Sequence, residues 1–213
     1  MGQNVVLLGD SIGRGVVLVN ERYTLLKEGV AELCAEKLGL NLQNFSKMGS
    51  TVERGQQVLA QREAAIATAD ITVLEFGGND SDLCWQEIAE RPMDSHEPRT
   101  PIARFVDVYR SMIQRVRALG SRPVMISLPL MDGERFVNFQ TRNMTAQERQ
   151  NVYDWLGHVE RVPLVDITTP FLLSHDYQSN LCADGIHPNA AGHRMMAEWI
   201  AGETALCAER PLR

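Results

Sequence analysis

Short apolar runs alternate with longer segments of helical spacing along the whole chain. The predicted strands cover residues 4–8, 40–45, 71–76, 123–128 and 163–167. A continuous run such as residues 4–8 is typical of a strand that is buried on both faces in a parallel sheet. Apolar residues at near-helical spacing predict helices over 23–38, 52–69, 102–119 and 189–208. A capping box of Thr145 and Glu148 predicts a further helix over 145–158. The alternation predicts βαβ units, right-handed crossovers and a parallel sheet covered by helices on both faces.

The order of the five strands decides where a site would form. We expect the order 2-1-3-4-5, and in such sheets ligands bind outside the carboxyl ends of the strands, near the point where the order reverses. A chain of 213 residues is expected to fold as one domain, 1–213. Two long connections, 81–101 and 129–143, follow the third and fourth predicted strands, so they should lie beside the same edge of the sheet.

Composition and charge narrow the classes of partner. The net charge of -6, without a clustered basic face, argues against a nucleic-acid partner. No apolar stretch reaches the roughly 18 residues that a membrane span needs. Residues 1–4 lack the features of a secretory signal, and the four cysteines are widely spaced without a Cys-x-x-Cys pair. We therefore predict a cytoplasmic protein with reduced thiols and no membrane span, and the oligomeric state stays open.

Three candidate functional residues each come just after a predicted strand. Ser11 follows the first strand, Gly49 the second and Asn79 the third. Because the carboxyl ends of parallel strands meet at one edge of a sheet, we expect these residues to lie close together. A serine hydroxyl in this position would be an exposed nucleophile, provided that a base can accept its proton.

Asp184 and His187 are the candidates that would activate this serine. Neutral imidazole accepts a proton readily near pH 7, which makes His187 the predicted base. Asp184 lies three residues earlier, close enough for its carboxylate to fold back onto the ring and fix the tautomer. The alternative is that the pair only caps the helix that starts near Asn189. The remaining histidines form no metal-ligand pattern, so we expect neither a metal nor another cofactor.

Four short motifs in order resemble the sequence blocks of the SGNH hydrolases, the GDSL-type esterases and lipases. They are Gly9-Asp10-Ser11-Ile12, Gly49, Gly77-Gly78-Asn79-Asp80 and Asp184-Gly185-Ile186-His187-Pro188. Ile12 departs from the family name, in which this position is Leu. The resemblance implies a flavodoxin-like three-layer α/β/α sandwich with a five-stranded parallel sheet, and hydrolysis of esters or thioesters without a cofactor. It also implies an oxyanion hole made by the backbone N–H groups of Ser11 and Gly49 and the side-chain amide of Asn79.

Residues in the two long connections are weaker candidates. Trp85, Phe136 and Phe139 would either line an acyl pocket or anchor the connections to the core. His96 would either contact substrate or be a solvated loop residue. Both connections are rich in charged residues and poor in aliphatic ones, which favours short acyl groups over long chains.

The sequence therefore favours a serine esterase that acts on short-chain carboxylic esters of small molecules, including O-acetyl groups on a carbohydrate or another polar alcohol. A lysophospholipase or thioesterase of the same superfamily is the first alternative, because it would use the same catalytic residues with a different pocket. The alternative from another class is a flavodoxin-like module that binds flavin or phosphate at the same sheet edge.

Overall fold

A computed structural model of the protein describes residues 2–82, 97–130, 164–165, 167–174 and 176–208. Strands are numbered in chain order, and β2 (Val16–Val19) and β3 (Arg22–Leu25) form a separate hairpin. The main sheet has five parallel strands: β1 (Asn4–Gly9), β4 (Asn41–Asn44), β5 (Ile71–Glu75), β6 (Arg122–Ile126) and β7 (Leu164–Val165). Their order in space is β4-β1-β5-β6-β7, which confirms the predicted order 2-1-3-4-5. The strand order reverses beside β1, so the residues that follow β1 stand at the position where sites form in such sheets.

Helices cover both faces of the sheet and make it the middle of three layers. On one face lie α2 (Val52–Gln61), α3 (Glu63–Ala67) and α4 (Ile102–Ala118); on the other lie α1 (Val30–Leu38) and the C-terminal α6 (Ala190–Ala208). The short α5 (Thr168–Leu173) precedes a 3₁₀ turn, Tyr177–Asn180. This architecture confirms the flavodoxin-like α/β/α fold.

The central strand β1 is buried from both sides, as its apolar run predicts. Val6 and Leu8 of β1 belong to the core beneath α2 and α4, whereas Val5 and Leu7 point to the α1 and α6 side. Successive side chains of a strand point to opposite faces, so a central strand covered twice needs apolar residues at every position. Tyr109 of α4 ties its helix to the sheet by donating its hydroxyl to the Leu74 carbonyl at 3.0 Å.

The predicted helix over 23–38 is wrong over residues 23–29, nearly half of its length. Residues 16–25 form an antiparallel hairpin of β2 (Val16–Val19) and β3 (Arg22–Leu25), and α1 begins only at Val30. Asn20 and Glu21 at the hairpin tip both have positive φ, 48° and 61°, as a type I′ two-residue turn requires. The two strands are rich in β-branched residues, which favour extended backbone. This strand preference outweighs the near-helical apolar pattern that begins at Leu25 and Leu26.

Within the described residues, the other predicted strands and helices agree with the structure within a few residues. The predicted helix over 52–69 is divided at Arg62, which leaves helical geometry (φ -119°, ψ 17°) and places its guanidinium over the Phe45 ring. The predicted helix over 145–158 and all but the first two residues of the connection 129–143 lie outside the described residues, as does most of 81–101. No helix within the described part of the chain is long and apolar enough to cross a membrane.

Candidate active site

Ser11 lies in a tight turn that directly continues β1. The turn is closed by backbone bonds from Arg14 N–H to the Asp10 carbonyl and from Val16 N–H to the Ser11 carbonyl, 3.1 and 2.9 Å long. Ser11 is only 8% exposed, so a substrate meets its hydroxyl in a partly closed site. The Ser11 Oγ stands 3.0 Å from Nε2 of His187, although the two residues are 176 positions apart in sequence.

A loop before α6 brings Asp184 and His187 together. Oδ2 of Asp184 lies 2.7 Å from Nδ1 of His187, and Oδ1 accepts the backbone N–H groups of Ile186 and His187 at 3.0 and 3.1 Å. Burial acts to raise the pKa of Asp184, but the hydrogen bond and charge of His187, with the two N–H groups, outweigh it and hold the pKa below its ordinary value. Asp184 is therefore an ionised acceptor for the His187 ring.

Gly49 and Asn79 lie in the loops that follow β4 and β5. Gly49 has φ of +75°, a left-handed conformation that favours glycine. The Asn79 amide donates to Oδ2 of Asp10 at 3.0 Å and to the Ser50 carbonyl at 3.1 Å. Both amide N–H groups thus have protein partners, and an incoming carbonyl oxygen would have to replace or share one of them.

Asp80 fixes the neighbouring loop. Its carboxylate accepts the Val52 N–H at the start of α2, 3.0 Å from each oxygen, and the Thr100 hydroxyl at 2.7 Å. Burial raises the pKa of Asp80 to about 6, against the lowering effect of these hydrogen bonds. Asp80 thereby ties α2 and the segment before α4 to the loop that carries Asn79.

Sequence reasoning missed Glu75, the last residue of β5. Oε2 of Glu75 accepts the N–H groups of Asp10 and Gly13, at 3.0 and 3.2 Å, on either side of Ser11. Glu75 also lines an apolar cavity of about 130 Å³ between the sheet and the layer of α1 and α6. Burial and then the charge of Asp10 raise the pKa of Glu75 well above its ordinary value, and burial also raises that of Asp10. The sequence feature that could have identified Glu75 is a charged residue at the end of a mostly apolar predicted strand.

Tyr23 is the second residue that sequence reasoning missed, because it fell within the predicted helix. Its ring centroid lies 5.2 Å from that of His187, with the two ring planes inclined by 58°. The side chain remains 40% exposed. Tyr23 therefore forms part of the open wall of the site next to the histidine.

Other residues considered from the sequence lie away from this group or outside the described residues. Four of them lie outside the described residues: Trp85, His96, Phe136 and Phe139. His193 is fully buried and accepts the Val30 N–H on Nδ1 at 3.1 Å; burial lowers its pKa to about 4, so it is a neutral link between α1 and α6. Among the described residues, no cluster of three His, Cys, Asp or Glu side chains could hold a metal ion.

Solved structures with the same fold span nearly the whole chain. A lipase/acylhydrolase from Enterococcus faecalis has a TM-score of 0.73 at 21% identity over 99% of both chains. The acetyl xylan esterase AlAXEase has a TM-score of 0.67 at 20% identity, covering 94% of this chain and 98% of its own. A catalytic mutant of Axe2, an acetylxylan esterase from Geobacillus stearothermophilus, has a TM-score of 0.67 at 18% identity over 95% of both chains.

At these identities the structures show the fold alone. A search among curated proteins finds no match. The model of the GDSL-like lipase/acylhydrolase family, however, matches residues 7–195, which is most of the chain. The protein is therefore a hydrolase of the esterase and lipase type, and it belongs to the GDSL-like lipase/acylhydrolase family.

Proposed function

We propose that the protein is a serine esterase that hydrolyses short-chain carboxylic esters through an acyl-Ser11 intermediate. The observation that carries this proposal is the continuous chain of short contacts from Asp184 to His187, 2.7 Å, and from His187 to Ser11, 3.0 Å. A carboxylate that contacts an imidazole, which in turn contacts a hydroxyl, is the arrangement that activates serine in unrelated hydrolases.

In the acylation step, Nε2 of His187 accepts the Ser11 proton while Oγ forms a bond to the ester carbonyl carbon. Asp184 accepts the Nδ1–H of His187, which keeps Nε2 free as the base and stabilises the imidazolium that forms. The C–O bond to the alcohol then breaks, and His187 returns its proton to the alcohol oxygen. In deacylation a water molecule takes the place of the alcohol, and His187 accepts one of its protons while the water oxygen forms a bond to the acyl carbon. The bond between the acyl carbon and Ser11 Oγ then breaks, and His187 returns the proton to Oγ, which releases the acid and free Ser11.

Negative charge develops on the carbonyl oxygen in both steps. The donors that we assign to it are the N–H groups of Ser11 and Gly49 and one N–H of the Asn79 amide. Asn79 already donates to Asp10 and to the Ser50 carbonyl, so we expect the bond to the neutral Ser50 carbonyl to yield to the oxyanion. The bond to Asp10 would meanwhile hold the amide in place.

We propose O-acetyl groups on a carbohydrate or another polar alcohol as the substrate class. Support comes from the fold shared with two acetylxylan esterases and from the polar composition of the two long connections. A thioesterase or lysophospholipase would use the same three catalytic groups and would differ in its preference for long acyl chains. The flavin- or phosphate-binding module is the weaker alternative, because the family consists of hydrolases.

Labelling with a fluorophosphonate, combined with turnover of p-nitrophenyl acetate, tests the proposal. We expect wild-type protein to take up one label on Ser11, and Ser11→Ala to lose both the label and turnover. Ser46→Ala is a matched control, because Ser46 is a buried serine near the same turn whose hydroxyl has no hydrogen-bond partner among the described residues. Labelling of Ser11→Ala at the wild-type rate would contradict the assignment of the nucleophile.

A further inference from the structure

The β2–β3 hairpin presents an apolar face beside the candidate active site. In an antiparallel ladder, residues that face each other have their side chains on the same side, and Leu18 faces Tyr23 while Val16 faces Leu25. Val16 is buried, but Tyr23 is 40% and Leu25 is 55% exposed. This face therefore begins in the core and ends at the surface with an aromatic and an aliphatic side chain available for contact.

The hairpin is attached to both halves of the site. Its first strand starts with the Val16 N–H bond to the Ser11 carbonyl, 2.9 Å, so it continues the nucleophile turn. The Leu18 N–H donates to Sγ of Cys182 at 3.3 Å, in the loop that carries Asp184 and His187. Tyr23 then contacts the His187 ring itself. The position of the hairpin is thus fixed by the same two backbone segments that carry Ser11 and His187.

The reaction decides which part of a substrate would meet Tyr23. His187 must return its proton to the alcohol oxygen, so the alcohol has to leave next to the His187 ring. We propose that Tyr23, supported by Leu25, forms the binding subsite for the alcohol part of the ester and selects alcohols that contain a saturated ring with polar substituents, as a pyranose does. This inference rests on the proposed esterase function and names the substrate part that the hairpin contacts.

Both parts of the tyrosine side chain suit such an alcohol. The aromatic ring offers a flat apolar surface to the C–H face of a pyranose ring, which loses water contact when the two pack together. Burial, and then the negative charge of Asp184 and hydrogen bonding to its carboxylate, raise the pKa of the Tyr23 hydroxyl. With its proton directed to Asp184, the phenol oxygen can still accept a hydrogen bond from a sugar hydroxyl. An aliphatic or charged residue at this position would lack one of the two features.

The experiment keeps the acyl group constant and varies the alcohol. Rates with ethyl acetate, cyclohexyl acetate and an O-acetylated methyl pyranoside are measured for wild type, Tyr23→Ala, Tyr23→Phe and Thr24→Ala. Thr24 is the matched control, because it lies in the same strand but faces Val17 on the other side of the hairpin. Melting temperature and the rate of fluorophosphonate labelling of Ser11 are recorded for each variant.

We expect Tyr23→Ala to lower kcat/KM about tenfold for the two ring-containing acetates, through KM, the size expected for loss of one aromatic contact. Because Tyr23 also contacts the His187 ring, the decisive readout is selectivity: ethyl acetate turnover and Ser11 labelling should fall by much less than kcat/KM for the ring-containing acetates. Tyr23→Phe should keep the rate with cyclohexyl acetate and lose part of the rate with the pyranoside.

Two results would overturn the inference while leaving the esterase proposal intact. An equal loss for all three acetates, with slower labelling, would show that Tyr23 only supports His187. Unchanged rates for Tyr23→Ala with both ring-containing acetates would show that the alcohol does not contact the hairpin. Failure of the proposed function is distinct, because wild-type Ser11 would then not be labelled at all.

Discussion

The backbone N–H of Asp10 donates to the carboxyl group of Glu75 at 3.0 Å, so the last residue of β5 holds the residue that precedes Ser11. The same oxygen accepts the Gly13 N–H, and Asp10 in turn accepts the Ile12 N–H and the Asn79 amide. Two adjacent buried carboxyl groups thus connect the nucleophile turn with Asn79. Burial, and then the charge of Asp10, raise the pKa of Glu75 well above its ordinary value, which favours the protonated form of Glu75 in this pair.

The first prediction concerns Glu75. Glutamine keeps an oxygen for the two N–H groups and resembles a neutral acid, so Glu75→Gln should keep kcat within about threefold of wild type. Glu75→Ala leaves those N–H groups without their acceptor, so kcat should fall by about tenfold or more with little change in KM. The melting temperature of this variant should fall as well. Steady-state kinetics with p-nitrophenyl acetate and a thermal melt measure both. If glutamine were as damaging as alanine, an ionised carboxylate would be required instead.

The second prediction is a dependence of stability on pH that comes from Asp80. Its pKa is about 6 in the folded protein because of burial, against an unfolded value of about 3.9. The folded state binds more protons than the unfolded state between these values, so the contribution of Asp80 to the free energy of unfolding should fall as pH rises from about 4 to about 6. Denaturant unfolding of wild type and Asp80→Asn across this range isolates the effect. A difference between the two proteins that does not vary with pH would contradict the shift.

Sequence patterning predicts most of the fold because the physical signal is local. β1 reads as a continuous apolar run since it is covered twice, and Ser11, Gly49 and Asn79 share an edge because each follows a parallel strand. Tyr23 and Glu75 were not predicted, because their roles depend on structure that no local pattern indicates. The role of Tyr23 depends on a hairpin that competes with a helical pattern, and that of Glu75 on a turn 62 to 65 positions away.

The third prediction concerns the Asn79 amide. Asn79→Ala should lower kcat by about 10² to 10³ with little change in KM, because the amide would bind the oxyanion more strongly than the ground-state carbonyl. Asn180→Ala is a suitable control, since the Asn180 amide contacts Met195 Sδ outside the site, and it should turn over like wild type. An effect of Asn79→Ala on KM alone would exclude a role in the transition state.

The fourth prediction is a preference for short acyl groups. It rests on the charged composition of the connections 81–101 and 129–143, most of which lie outside the described residues. A long-chain channel needs continuous apolar lining, because each buried methylene contributes only about 0.8 kcal/mol. We expect kcat/KM across p-nitrophenyl esters to be highest for acetate and to fall with length. A rise that continues past about eight carbons would instead favour the thioesterase or lysophospholipase alternative.

The central claim is that Ser11 carries the acyl group during turnover, with His187 as its base. Mass spectrometry of the protein quenched during turnover of p-nitrophenyl acetate tests this most directly, with the acetylated peptide mapped by fragmentation. The account predicts an acetyl group on Ser11 in wild type and none in Ser11→Ala, with much slower acetylation in His187→Ala. Steady turnover with no acetyl on Ser11, or with the acetyl group on another residue that Ser11→Ala still acquires, would contradict it.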